Sequence, residues 1–306
     1  MDTPEQRLAH VAAGQLGLVT RRQAHLAGVT EDELRRRVAS GALEHAGPNT
    51  FRLFGAQRTP RHDLLALILD SGPNAFATGR SAAAVHGLDG YVLQPPFDVV
   101  TERGRGVRRT GHRIHTTHDL EPIDRTRIGG VPTLTAARTL IELARTEPPA
   151  RLAAALDSAL RDRRLTEDRL HQRIVTLRSQ GKHGIPKLLE VIEGEEITRG
   201  GHSWLERRFL QLAAQVGLPR PLTQQVMARS GERIVRVDFR FPGTPIVVET
   251  LGYRYHATRS QLARDAARLN ALLDQGLRPY QFTYDQVTGD PDRVVGQLRA
   301  ALAVAA

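Results

Sequence analysis

The residues best suited to chemistry are two carboxylates in the stretch from Ile234 to His256, I-V-R-V-D-F-R-F-P-G-T-P-I-V-V-E-T-L-G-Y-R-Y-H. Alternation from Ile234 to Phe241 predicts one strand, the apolar run Ile246 to Val248 a second, and Pro242-Gly243 the turn between them. Asp238 and Glu249 then stand on neighbouring strands, where paired oxygen ligands suit a hard cation, Mg2+ or Mn2+. Such an ion takes one or two carboxylates, keeps several waters, polarises a phosphate and generates hydroxide, which is the chemistry of phosphodiester hydrolysis. Glu206 suits a metal-bound water or a second ion. His256, with a free pKa of about 6.5, suits general acid–base work or a phosphate contact. Tyr253 and Tyr255 suit stacking on bases or packing.

The elements that must position these groups form a C-terminal α/β region. His202 to Val216 predicts an amphipathic helix carrying Glu206. A strand from Thr223 precedes the two acidic strands. Arg259 to Gln275 predicts a helix bearing Arg264, Asp265, Arg268 and Asn270. R-P-Y-Q-F-T-Y-D-Q-V predicts a strand and a turn, and Asp292 to Ala303 a closing helix. The order is α-β-β-β-α-β-α.

That order resembles the Vsr-like endonuclease family, a branch of the PD-(D/E)xK superfamily. The matching residues are Glu206, R-V-D-F at Arg236 to Phe239, V-V-E ending at Glu249, and Gly252 with His256. R-D-A-A-R-L-N-A-L from Arg264 and F-T-Y-D from Phe282 complete them. The resemblance, over residues 201–303, implies a restriction-endonuclease-like fold with Asp238 and Glu249 as metal ligands. In the superfamily a Lys, and in this branch often an Asp, stands two residues after the Glu. Here Leu251 stands there, and an apolar side chain neither ligates metal nor activates water. Arg254 or His256 is left to substitute, or the domain keeps the fold and grips DNA without cutting it.

Upstream, the chain looks built to reach DNA. Its formal charge is +10 and only two of its 43 basic Lys/Arg residues, Lys182 and Lys187, are lysines. Such a charge favours a polyanionic partner, although an Arg- and Ala-rich composition also follows from a GC-rich genome. No cysteine is present, which excludes disulfides and thiolate metal sites and fits a reducing cytoplasm. No run reaches the ~20 apolar residues of a membrane span, and the polar start M-D-T-P-E-Q-R is not a signal peptide.

Residues 5–17 predict a helix. Thr20 caps a second through Leu26, Gly28 turns the chain, and Thr30 with Glu33 forms a capping box for a third. Leu43 to Leu53 reads as a hairpin turning at Gly47-Pro48-Asn49. This is a winged helix-turn-helix pattern. Arg35, Arg36 and Arg37, with Arg22, are its DNA-binding candidates, but three consecutive arginines span most of a turn and cannot all face DNA. A solvated face or a protein-docking helix is the alternative.

Helices are expected at His62 to Leu69, Ser81 to Leu88 and after Val131-Pro132, and strands at Phe97 to Thr101 and His112 to Thr116. Arg103, Arg105, Arg108 and Arg109 between those strands suit either a phosphate grip or a solvated hairpin tip. His112, His115 and His118 alternate faces of a strand, which argues against a shared zinc site. Residues 148–193 read as charged helices, with Asp157, Asp162 and Glu167 on a solvated face, and Gly194 to Gly201 as a linker.

The first 145 residues resemble the AbiEi-type antitoxins of bacterial type IV toxin–antitoxin systems. The residues that carry this are T-R-R-Q-A-H-L-A-G-V, S-A-A-A-V-H-G-L and V-P-T-L-T-A-A-R-T-L-I-E-L-A. The resemblance implies a promoter-binding winged helix and a regulatory role.

The expectation is an α/β multidomain protein. A winged helix-turn-helix (1–58) precedes an α+β middle region (59–146), a helical connector (147–199) and a restriction-endonuclease-like α/β domain (200–306). The expected function is metal-dependent hydrolysis of DNA phosphodiester bonds, in defence or DNA repair. The alternative is a non-enzymatic regulator or type IV antitoxin with an inactive nuclease fold. The expected partners are DNA and a toxin or other protein, with no membrane; oligomeric state is left open.

Overall fold

Threonine caps start the first three helices. Thr3, Thr20 and Thr30 close capping boxes with Gln6, Gln23 and Glu33, in a computed structural model that describes residues 2–102, 109–118, 120–178, 184–199, 203–230, 233–252 and 259–305. They begin α1 (Pro4–Ala13), α2 (Arg21–Leu26) and α3 (Glu31–Ala39), with β1 (Leu18–Thr20) between the first two. The hairpin β2 (Leu43–His45) and β3 (Thr50–Leu53) follows, and β3 lies between β1 and β2, antiparallel to both. Leu8, Ala12, Val19, Ala24, Val29, Leu34, Leu43 and Phe51 form the core beneath. This is a winged helix-turn-helix. Where periodicity predicts a helix to residue 17, α1 stops at Ala13, because Leu16 and Gly17 take φ of 55° and 80° to turn the chain into β1.

The chain divides into two compact units, Met1–Ile174 and Val175–Ala306. In the first, α4 (Pro60–Ser71) is followed by β4 (Ala75–Ala77), α5 (Gly79–His86), β5 (Asp98–Glu102), β6 (Arg113–Thr117), β7 (Arg125–Ile128) and β8 (Val131–Leu134). Then come α6 (Ala136–Leu143), α7 (Pro149–Arg161) and α8 (Glu167–Arg178), whose residues after Ile174 belong to the second unit. The strands form one sheet in the order β6-β5-β4-β8-β7. The pairing of β5 with β6 is parallel, so the basic segment between them is not the tip of a hairpin. Arg103, Arg105 and Arg108 of that segment lie outside the described residues, while Arg109 donates to the Asp70 carbonyl at 3.1 Å.

Helix α4 joins the winged helix to the five-stranded sheet. Leu65 and Ala66 pack with Leu18 of β1, and Leu64, Leu67 and Ile68 pack with the sheet residues Ala75, Phe97, Val99 and Val131. Its Asp70 accepts from Asn49 N at 3.0 Å and Thr50 Oγ1 at 2.8 Å, which fastens the turn of the wing. A Cβ at Gly47 would meet Asp70 Oδ2 at 2.0 Å, so a larger residue there would have to displace the carboxylate that fastens the turn.

Charge is buried in the same unit. Asp124 is fully buried, with Arg138 of α6 at 3.0 Å and Arg173 of α8 bidentate at 2.7 Å through both oxygens. The solvated-face pattern describes Asp157 and Asp162, which pair with the half-exposed Arg161. It fails for Arg173, whose spacing among surface charges does not reveal that it reaches Asp124.

The second unit holds α9 (Ile185–Arg199), α10 (Trp204–Gln215), β9 (Leu222–Ser230), β10 (Arg233–Arg240), β11 (Ile246–Leu251), α11 (Arg259–Asp274), β12 (Arg278–Thr283), α12 (Tyr284–Gly289) and α13 (Pro291–Ala305). Its sheet order is β12-β11-β10-β9, antiparallel except for the parallel β11–β12 pair. Phe209 of α10 stacks on Phe239 at 4.6 Å. The expected order is found with one addition: after β12 the chain forms α12, capped by Thr283 and Gln286, where a turn is expected. Helix α9 also runs through Gly194 to Arg199, where a linker is expected, because one glycine costs a helix only about 1 kcal/mol. Among the described residues no helix is long and apolar enough to cross a membrane.

Replacing Asp124 by Ala removes the buried carboxylate that Arg138 and Arg173 share, leaving them only Glu142 and Glu121, and is expected to destabilise the first unit by about 3 kcal/mol. Denaturation followed by far-ultraviolet circular dichroism measures this; the single tryptophan, Trp204, lies in the other unit. Burial lowers the pKa of His86, whose Nε2 lies 2.8 Å from the Leu134 carbonyl. A lowered folded-state pKa means the unfolded chain takes up the proton first, so stability is present above about pH 6.5 and falls as pH drops below it. The His86→Gln variant should flatten that decline in melting curves between pH 7.5 and 5.5.

Candidate functional site

Antiparallel register brings the two acids of the second unit together. Phe239 pairs with Val248, so Asp238 and Glu249, one position further along each strand, stand opposite each other on one face. Asp238 Oδ2 accepts from Thr250 N at 2.8 Å and Thr250 Oγ1 at 3.1 Å. Glu249 is 4% exposed, and its Oε2 accepts from Gln281 Nε2 at 3.1 Å, across the β11–β12 pair. Its Oε1 lies 2.6 Å from Arg268 Nη2 of α11 but accepts no hydrogen bond: the contact is an ion pair without hydrogen-bond alignment. Arg268 Nη2 also donates to the Arg236 carbonyl. Burial raises the Glu249 pKa above its usual value; Arg268 and Gln281 pull it down, and Asp238 and Asp265 push it further up.

The other expected site residues are placed less closely. Glu206, in the first turn of α10, accepts from Gln224 Nε2 at 3.2 Å. Among the described residues no group of three or more His, Asp or Glu side chains is arranged to hold a metal ion. His256, Arg254, Tyr253 and Tyr255 lie outside the described residues. Leu251 ends β11 and offers no donor or acceptor beyond its backbone. Arg264 is exposed on α11. Asp285 of the F-T-Y-D segment forms a two-point ion pair with Arg178, one arm at 2.9 Å. The donor set does suit a hard cation: two facing carboxylates, one with a buried oxygen that accepts no hydrogen bond. The cation beside that oxygen is Arg268.

Arg268 and its hold on Glu249 are not visible in the sequence as a pair. The Arg264–Arg268 spacing puts both on one helix face, but only the packing of α11 selects the carboxylate that one of them meets.

In the winged helix, α3 presents Arg35 and Arg36 to solvent. Arg35 lies 4.0 Å from Glu31 and 3.5 Å from Asp32, and Arg36 Nε donates to the Asp32 carbonyl at 3.4 Å. Arg37 turns inward to Glu5 of α1 at 2.6 Å and is 22% exposed, so the three arginines do not share a face. Arg22 of α2 is exposed. Glu31, at the start of α3, gathers Arg21, His25 at 3.2 Å and Arg35. Its hydrogen bond from Arg21 is the chief reason its pKa lies below the usual value. Arg21 also sits over the Phe51 ring at 5.3 Å.

Residues 6–53 match a family described as a transcriptional regulator, AbiEi antitoxin. That span covers α1 to β3. Over 281 residues the chain is 25% identical to two uncharacterized Mycobacterium tuberculosis proteins, MT2308 of strain CDC 1551 / Oshkosh and Rv2248 of strain H37Rv, covering 88% of this chain and 96% of each relative. The crystal structure of the RV2827C protein from Mycobacterium tuberculosis is similar at 14% identity and a TM-score of 0.42, over 63% of this chain and 77% of that one.

Proposed function

We propose that the chain is a DNA-binding transcriptional regulator of the AbiEi-antitoxin type, which lays α3 of its winged helix in the major groove of promoter DNA. The observation that supports this is the coincidence of the 6–53 family match with a complete winged helix whose α3 exposes Arg35 and Arg36. Arg22, at the start of α2, reaches for the backbone. Arg37 holds α3 to α1 and acts through the fold. A toxin-type protein partner fits the same reading.

A second reading concerns the other unit. The facing pair Asp238 and Glu249, with a buried oxygen free of hydrogen bonds, favours a divalent-metal centre for hydrolysing DNA phosphodiester bonds. Asp238 and Glu249 would hold Mg2+ or Mn2+, Glu206 would support a bound water, and His256 would serve as acid–base or phosphate contact. The ion, when bound, would act as a Lewis acid and lower the pKa of its water. Arg264 and Arg268 would meet phosphates from α11.

Fluorescence anisotropy on the duplex upstream of the protein's own gene tests the first reading. Arg35→Ala and Arg36→Ala should each weaken binding and lower the salt slope by about 1, whereas Arg37→Ala should chiefly lower the melting temperature. Binding that does not distinguish this duplex from a scrambled one would sink the regulator reading. For the second reading, supercoiled plasmid with Mg2+ or Mn2+ should be nicked by the wild type and not by Asp238→Asn; equal nicking, or none, would remove it.

A further inference from the structure

We infer that Arg268 is the resident cation of the Asp238–Glu249 pair, and that a divalent metal gains Glu249 only when the guanidinium leaves. This rests on reading the pair as a metal centre. Three of the relevant interactions are settled by position. Thr250 holds Asp238 Oδ2, Gln281 holds Glu249 Oε2, and Glu249 Oε1 is left facing Arg268 Nη2 at 2.6 Å. A metal on Oε1 would stand about 2.0–2.6 Å from that oxygen, as close as the guanidinium nitrogen already there at 2.6 Å. Crowding and like charge set the two cations in competition for it. The site therefore has one cation at a time.

The hold on Arg268 is of a kind that can be exchanged. Its contact with Oε1 lacks hydrogen-bond alignment, and its side chain is 41% exposed while that of Glu249 is 5% exposed. The guanidinium thus has a solvent side, and a planar fork that binds phosphate through two donors. A DNA phosphate at α11 supplies the alternative anion. Arg268 then moves from carboxylate to phosphate, Glu249 becomes a buried carboxylate without a counterion, and its demand for a cation draws in the metal. Metal uptake is coupled to DNA, and the DNA-free protein keeps Glu249 neutralised by Arg268.

Mn2+ binding to the full chain, read by electron paramagnetic resonance or calorimetry, tests this without any cleavage assay. R268Q should bind Mn2+ at least tenfold more tightly than the wild type, and the R268Q/D238N variant should lose that gain. R268K retains the charge and should stay near the wild type. The wild type should gain a comparable increment when a short duplex is present, and D238N with the same duplex should not. Circular dichroism verifies that each variant is folded, and if R268Q is not, the wild-type comparison with and without duplex decides. Tight Mn2+ binding that is equal in wild type and R268Q and indifferent to duplex overturns the inference and leaves the carboxylate reading standing. No binding in any variant, with or without duplex, overturns both.

Discussion

A carboxylate that leaves water in this protein does so beside an arginine. Among the described residues the buried acids are Asp98, Asp124, Glu147 and Glu249. They meet Arg113, the pair Arg138 and Arg173, the pair Arg80 and Arg151, and Arg268. The constraint is electrostatic: an isolated buried charge is costly, and a guanidinium neutralises it and can donate to both oxygens. The architecture of the first unit follows. Asp124 ties α6 and α8 to the turn before β7, and Asp98 is where β5 meets Arg113 and His115 of β6.

Within this pattern Glu249 is the exception. Burial pushes Asp98 upward too, but the two hydrogen bonds from Arg113, with His115, bring its pKa below the ordinary value. At Glu249 burial prevails. Its one guanidinium contact is not aligned as a hydrogen bond, and Asp238 and Asp265 add negative charge. Acids whose pKa is shifted by burial and a specific charge partner cluster at functional sites. The same constraint reduces what the net charge of +10 says about DNA. Arginines such as Arg138 and Arg173 are spent inside the fold, and Arg37 is turned to α1. On the winged helix, the surface available to a phosphate backbone is set by the arginines that stay exposed, among them Arg22, Arg35 and Arg36.

Much of the fold was legible because its signals are local. Thr20 and Thr30 with their Gln23 and Glu33 partners mark helix starts, Gly87 at φ 73° marks the end of α5, and the alternation around Asp238 marks β10. The strands that escaped, β1, β4, β7 and β8, are three or four residues long. At that length alternation has too few positions to show, and the sheet rather than propensity makes them strands. The parallel pairing of β5 and β6 was hidden for a related reason: two short strands joined by a basic loop look the same whether the second runs back or forward.

The sequence by itself determined the winged helix, whose caps, turns and apolar spacing lie within some fifty residues, and it placed Asp238 and Glu249 on adjacent strands around a Pro-Gly turn. Tertiary structure alone decided which charges meet. Arg37 found Glu5, Arg173 found Asp124, Arg178 found Asp285 and Arg268 found Glu249, at separations of 32, 49, 107 and 19 residues. An arginine carries the same charge wherever it stands in the chain. Its partner is chosen by the helix packing that carries it there, and Glu249 therefore acquires its cation only in the folded protein.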